Sequence, residues 1–165
     1  MALIIEDGTG NVPGANSYVT DLEYTTYATA RGLTVGVDAP TREKELILAM
    51  DFLESMRSSF QGTKTLQVNP LQYPRSGVFI DGFSIDNDFI PVELKNSQIE
   101  SAAYASANEL ISNTASQNVA SETVDVISIS YFSGGKTGSG ALDRINVWLK
   151  PLLKLNSNGR ILTRV

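Results

Sequence analysis

The residues of this chain that invite a chemical reading lie in three places. Ser133-Gly134-Gly135-Lys136-Thr137-Gly138-Ser139-Gly140 follows an apolar run and precedes a helical pattern, the order of a phosphate-binding loop. Such a loop needs a glycine five residues before the Gly-Lys-Thr glycine, and Ser130 stands there. The helix after it starts near Gly140, with Ser139 as its cap, so its amides are too far along to cradle phosphates at Lys136 and Thr137. The bland reading, a flexible loop, is preferred to a nucleotide hydrolase. Asp81, Asp86 and Asp88 offer carboxylates to a cation, but their spacing is not that of an EF-hand, and a solvated turn is expected. The third place is Gln72-Tyr73-Pro74-Arg75-Ser76-Gly77-Val78, where proline biases Tyr73 to extended geometry and its neighbours hold Arg75.

What is missing narrows the chemistry further. The sequence has no histidine and no cysteine. The commonest general base, the usual transition-metal ligand and the centre of a Ser–His–Asp triad are therefore absent, as are disulfides and thiolate metal sites. A non-enzymatic protein without cofactor or resident metal is expected. Thirteen basic residues stand against eighteen acidic, a net charge of −5, whereas a protein gripping phosphates normally carries a basic excess. No run of apolar residues is long enough to span a membrane, and the start lacks the pattern of a secretory signal.

The elements that would position these groups are mostly helical. Ile90 to Thr114 opens on Pro91 and then runs without glycine or proline, and Val92, Ile99, Ala102, Ala103, Ala107, Leu110 and Ile111 fall on one side. Glu93, Lys95, Glu100, Asn108 and Glu109 take the polar positions. A helix of roughly 35 Å is predicted, with small residues from Ser101 to Ala107 that admit neighbours on more than one side. Thr20-Asp21-Leu22-Glu23 is a capping box that starts a helix ending at Arg31-Gly32, whose apolar side includes Leu22, Tyr24, Tyr27, Ala28 and Ala30. A second helix opens at Pro40-Thr41 with Thr41 as cap, Glu43 and Glu45 near its positive end, and a stripe of Leu46, Ala49, Met50, Leu53, Met56 and Phe60. The last carries Leu142, Ile145, Trp148, Leu149 and Leu152, with Pro151 near its end.

Between these helices the period vanishes from Gln61 to Phe89, a length of unpatterned chain that tends to be functional. Leu3 to Ile5 suggests a brief strand. Glu122 to Phe132 reads as a strand with both faces partly apolar, Val124 and Val126 on one and Ile127, Ile129 and Tyr131 on the other, as expected if one face, with Phe132 beside it, meets another subunit; a β-bulge that shifts the register explains it equally. Asn156 to Val165 is an apolar, basic arm bearing Arg160, Ile161, Leu162, Arg164 and Val165. The whole is one domain over 1–165: a mainly α (α+β) fold, a small bundle of about four helices over 16–154 with a protruding β-strand or hairpin, and an extended C-terminal arm, 155–165.

Taken together, Ile4-Ile5-Glu6-Asp7-Gly8, Ala15-Asn16-Ser17-Tyr18-Val19, Ala30-Arg31-Gly32, the Gln72–Val78 stretch, Ile90-Pro91 and Leu149-Lys150-Pro151-Leu152-Leu153 resemble the tailed-phage family labelled DnaT-like single-stranded DNA-binding. Tyr73, Pro74, Arg75 and Gly77 carry its most specific motif, with tyrosine where tryptophan is common. The resemblance implies a head–tail connector or adaptor of the virion neck, forming a homo-oligomeric ring, usually of twelve copies, beneath the portal. It implies a tail or tail-completion partner on the opposite face and double-stranded DNA passing through the lumen without specific binding, a passage that acidic copies suit. The arm, through Arg160, Ile161, Leu162, Arg164 and Val165, is expected to clasp the portal. The alternative follows the family label: single-stranded DNA binding in replication or packaging, through Arg75, Lys136, Arg160 and Arg164 with Tyr73 and Tyr131 as stacking partners.

Overall fold

A computed structural model describes residues 2–108, 110 and 139–154. Four helices make the frame: α1 (Asp21–Arg31), α2 (Ala39–Ser55), α3 (Val92–Ala105) and α4 (Ser139–Leu149), the last continued by a 3₁₀ turn, Lys150–Leu152. Two antiparallel two-residue ladders lie between α2 and α3. β1 (Thr63–Lys64) pairs with β2 (Arg75–Ser76), and β3 (Phe79–Ile80) pairs with β4 (Phe83–Ser84). No helix among the described residues is long and apolar enough to cross a membrane.

α3 sits in the middle, packed against α1, α2, α4 and the 3₁₀ turn. Because neighbours surround it, its buried face is broad and partly polar: Leu94, Ser97, Gln98, Ile99, Glu100, Ser101 and Ala102 are all buried. The one-sided stripe expected from the sequence is corrected at both edges. Val92 is half exposed, and Glu100, expected in solvent, is buried. Gln98 is the fastener at the centre: its Oε1 accepts from Tyr18 N–H at 3.0 Å, and its Nε2 donates to Ser17 Oγ at 2.8 Å and to the Leu46 carbonyl at 3.2 Å. One amide thus joins the N-terminal segment, α2 and α3, and leaves none of its groups unpaired in a dry core.

The caps fix where the helices lie. Thr20 and Glu23 form the expected capping box and Gly32 closes α1 in the left-handed region at φ +64. Leu22, expected on the apolar side, is 75% exposed, while Tyr24 and Ala28 are buried. The cap of α2 is Asp38, not Thr41. The Asp38 carboxylate accepts from Thr41 N–H at 2.9 Å, and Pro40 occupies the first turn. α2 ends at Ser55, short of the expected Phe60, yet all six stripe residues from Leu46 to Phe60 are buried, because the chain turns back after Met56 without leaving the core.

α3 also stops early. Its regular turns end at Ala105 rather than running to Thr114, and the Ser106 hydroxyl donates to the Ala103 carbonyl at 2.7 Å while also reaching Thr34 O at 3.3 Å. Local serine bonding of this sort competes with helix continuation; residues 111–114 lie outside the described residues. At the N-terminus the expected strand is only a parallel bridge between Ile5 and Ser17. α4 begins at Ser139 itself, and Ile145, Leu149 and Leu152 enter the core as the stripe predicted.

Candidate functional site

Gln61 to Phe89, expected to be without regular structure, folds into two parts of opposite character. In the first, Tyr73 is 1% exposed, and its ring meets Phe60 edge to face at 5.6 Å between centroids. Its N–H donates to the Tyr18 hydroxyl oxygen at 2.9 Å, and its carbonyl accepts from Asn69 Nδ2 at 2.8 Å. The Tyr73–Pro74 peptide bond is cis. Burial pushes the Tyr18 and Tyr73 hydroxyls well above the usual phenol range.

Arg75 is 7% exposed, and each of its three guanidinium nitrogens donates to its own chain. Its Nε donates to the Gln61 carbonyl at 2.6 Å, one terminal nitrogen to the Gly62 carbonyl at 2.8 Å, and the other to Gln72 Oε1 at 3.0 Å. Gln72 is held in turn by the Glu54 carboxylate at 3.0 Å. Gly62 has φ +64, and a Cβ there would stand 2.1 Å from Ser76 O, so no other residue fits the loop that Arg75 grips. Gly77 is likewise at positive φ, +73. This corrects the single-strand reading of the motif: neither the Tyr73 ring nor the Arg75 guanidinium is available to a base or a phosphate. The motif is a packing knot that fastens residues 61–78 to α2 and the N-terminal segment.

The second part turns outward. Asp81 and Gly82 take positive φ, +52 and +86, between paired Ile80 and Phe83. That is the geometry of a two-residue hairpin, for which Asp-Gly is the preferred sequence. Val78 and Ile80 anchor it in the core, and Ile85 N–H donates to Val78 O at 2.9 Å. Phe83, by contrast, is 76% exposed, and Phe79 and Phe89 are more than half exposed. Asp81, Asp86 and Asp88 are exposed on the turn and on the segment after β4. No group of three His, Cys, Asp or Glu among the described residues converges in the manner of a metal site. The Asp-Gly pair between apolar residues was the sequence signal for this hairpin; exposure of its phenylalanines has no sequence signature.

A third surface was not anticipated either. At the edge of α1, α3 and α4, Arg31 lies over the Tyr27 ring with its guanidinium carbon 3.6 Å from the centroid. The Tyr27 hydroxyl donates to Glu100 Oε1 at 3.0 Å, and Arg144 Nε donates to Glu100 Oε2 at 3.1 Å. Burial, and then Glu100, raise the Tyr27 hydroxyl above the usual phenol range. A shallow groove of about 170 Å³ runs beside it, lined by Leu33, Ala103, Tyr104 and Arg144 among others, smaller than the clefts that hold drug-sized ligands. Cations elsewhere are also engaged: Arg42 with Asp21 at 2.6 Å and Lys95 with Glu23 at 2.9 Å. Arg75 is the one cation buried among the described residues. The other sequence-derived candidates, Val124, Val126, Ile127, Ile129, Tyr131, Phe132, Lys136, Thr137, Arg160, Ile161, Leu162, Arg164 and Val165, lie outside them.

Three helices and a 3₁₀ turn around a central helix with a partly polar buried face, with a long double-looped insertion before it, define a small α+β protein. The chain belongs to the family described as "Putative DnaT-like ssDNA binding protein", whose model matches residues 1–165. No curated protein and no solved structure matches it.

Proposed function

We propose that this chain is a non-enzymatic structural subunit of a tailed phage, an adaptor that forms a ring at the head–tail junction between portal and tail and surrounds the DNA exit channel. The observation that carries the reading is the hairpin at residues 79–89. Phe79 and Phe83, exposed on a core-anchored hairpin, with Phe89 exposed on the segment after it, are an anchor for protein contact. The aspartates beside them have the wrong sign for phosphates. The net charge of −5 suits a wall past which DNA slides without being held. The order of motifs along the chain resembles a tailed-phage family whose members look like head–tail connectors, and that supports the choice of this assembly.

In this reading the four helices are the stiff wedge of each subunit, and the hairpin meets a neighbouring subunit or a tail protein. The arm after Lys154 reaches the portal. The protein would be made in the host cytoplasm and retained in the virion neck. Electron microscopy with class averaging of the protein mixed with its portal tests it directly. A second ring stacked under the portal is the expected result. Bare portals at concentrations where both proteins are intact would overturn the reading.

The family description favours a second reading, single-stranded DNA binding. The Tyr27–Arg31 stack beside Arg144 is the described surface that fits it best, since it sets a half-buried aromatic ring beside two arginines, the kinds of group a stacking platform uses. Its signature would be a shift of single-stranded DNA at physiological salt that weakens steeply as salt rises.

A further inference from the structure

The hairpin is an apolar, acidic surface without a partner among the described residues, and the chain's last described residues lie at its foot. Lys154 N–H donates to Ser59 O at 2.8 Å, Gln61 N–H donates to Leu152 O at 2.9 Å, and Phe60 and Leu153 form an antiparallel bridge. The Gln61 side chain ties the two sites together. Its Nε2 donates to Pro151 O at 2.6 Å and its Oε1 accepts from Phe79 N–H at 3.3 Å. β3 itself packs on the 3₁₀ turn. Whatever follows Lys154 therefore starts beside β3, the strand that carries Phe79.

We infer that residues 156–165 of the same chain dock on the hairpin, with Ile161, Leu162 and Val165 against Phe79, Phe83 and Phe89, and Arg160 and Arg164 facing Asp81, Asp86 and Asp88. Charge selects this segment over the other long stretch outside the described residues. Residues 111–138 contain Glu122, Asp125 and Lys136, a net negative set, whereas 156–165 contain two arginines and no acid. Reach permits it, because ten extended residues span about 33 Å. Tethering at the foot of the hairpin holds the segment at an effective concentration of roughly millimolar, enough to favour the chain's own arm over a second copy's. This contact does not depend on the ring reading. It names an occupant for the hairpin in the free subunit, and any partner that captures the arm would uncover the phenylalanines.

Hydrogen exchange of the hairpin amides, Ile85 in particular, tests it in the dilute full-length protein. Deleting residues 156–165 should speed exchange there by at least about threefold while the α2 and α3 amides stay unchanged. Arg160→Asp with Arg164→Asp should do the same, and adding Asp86→Arg with Asp88→Arg to that chain, which leaves the Asp81-Gly82 turn intact, should restore slow exchange. Unchanged hairpin exchange on deletion would overturn the inference. So would protection that rises with protein concentration, which would put a second copy's arm there, or a reversed pair that fails to restore it. None of these outcomes bears on whether the protein decorates portals, so the ring reading stands or falls separately.

Discussion

Two neighbouring stretches of one insertion, residues 61–78 and 79–89, use the same kinds of residue to opposite ends. The first contains an aromatic side chain and an arginine, and both are swallowed by the fold. Phe60 covers Tyr73, and three of the chain's own oxygens occupy Arg75. The second contains three aromatics and three aspartates, and leaves all six in view. The difference lies in what the backbone demands. A loop with carbonyls turned inward needs a guanidinium to satisfy them. A two-residue hairpin satisfies its own backbone and leaves its outward side chains to other partners. An arginine beside an aromatic is therefore no evidence of a ligand until its hydrogen bonds have been counted.

The comparison breaks most visibly at Arg75. Arg75→Ala should cost about 3 kcal/mol, because it orphans two inward-facing carbonyls and frees Gln72. Arg75→Lys should recover little of it, since one ammonium cannot reproduce the fork. Chemical denaturation of both variants checks this. Tyr18→Phe removes the acceptor for Tyr73 N–H and should cost about 1–2 kcal/mol in the same experiment. If the hairpin is the interaction surface, Phe79→Ser with Phe83→Ser should move stability by less than about 1 kcal/mol while abolishing the ring under the portal. A large loss of stability instead would make the hairpin a second knot.

A pH titration sharpens the contrast from another side. The Arg42 guanidinium bonded to Asp21 holds its carboxyl below the usual range, and the side-chain and backbone bonds from Thr41 do the same for Asp38. Folded protein thus binds these protons less tightly than unfolded chain. The stability they contribute is present above the ordinary carboxylate range near 4 and is lost as pH falls through the lowered values. Acid unfolding should start at the α1–α2 seam, and Arg42→Ala should flatten the acid limb of the stability curve. The smallest effect is expected at Arg31→Ala, about 0.5 kcal/mol for an exposed cation–π contact, with any single-stranded DNA binding weakened in parallel if that second reading holds.

Much of the frame was legible beforehand because helices announce themselves locally. The capping box at Thr20–Glu23, the glycine stop at Gly32 and the stripe from Leu46 to Phe60 each depend on residues within a few turns of one another. The errors fall where distant chain decides. Glu100 reads as a solvent residue until Tyr27 and Arg144 arrive to bond it, and Asp38 outcompetes Thr41 because Pro40 sets the entry to α2. Of the site residues, Tyr73 and Arg75 were conspicuous in the sequence yet turned out structural. Nothing in the sequence marked Phe79 and Phe83 as exposed, because hydrophobicity alone carries no direction.

Gln98 has a consequence in time. Its partners Ser17 and Tyr18 precede it by some eighty residues. On a ribosome, the Tyr18 N–H must therefore wait for its acceptor until α3 has emerged, although the Glu6, Asn16 and Ser17 amides pair within the segment itself. Until then α1 and α2 have each other, through Arg42–Asp21 and the Tyr24 hydroxyl donating to Glu45, but lack the helix both pack against. Closing so long a loop slows folding, and a pause in translation before residue 98 would leave exposed the surface that the finished protein hides best.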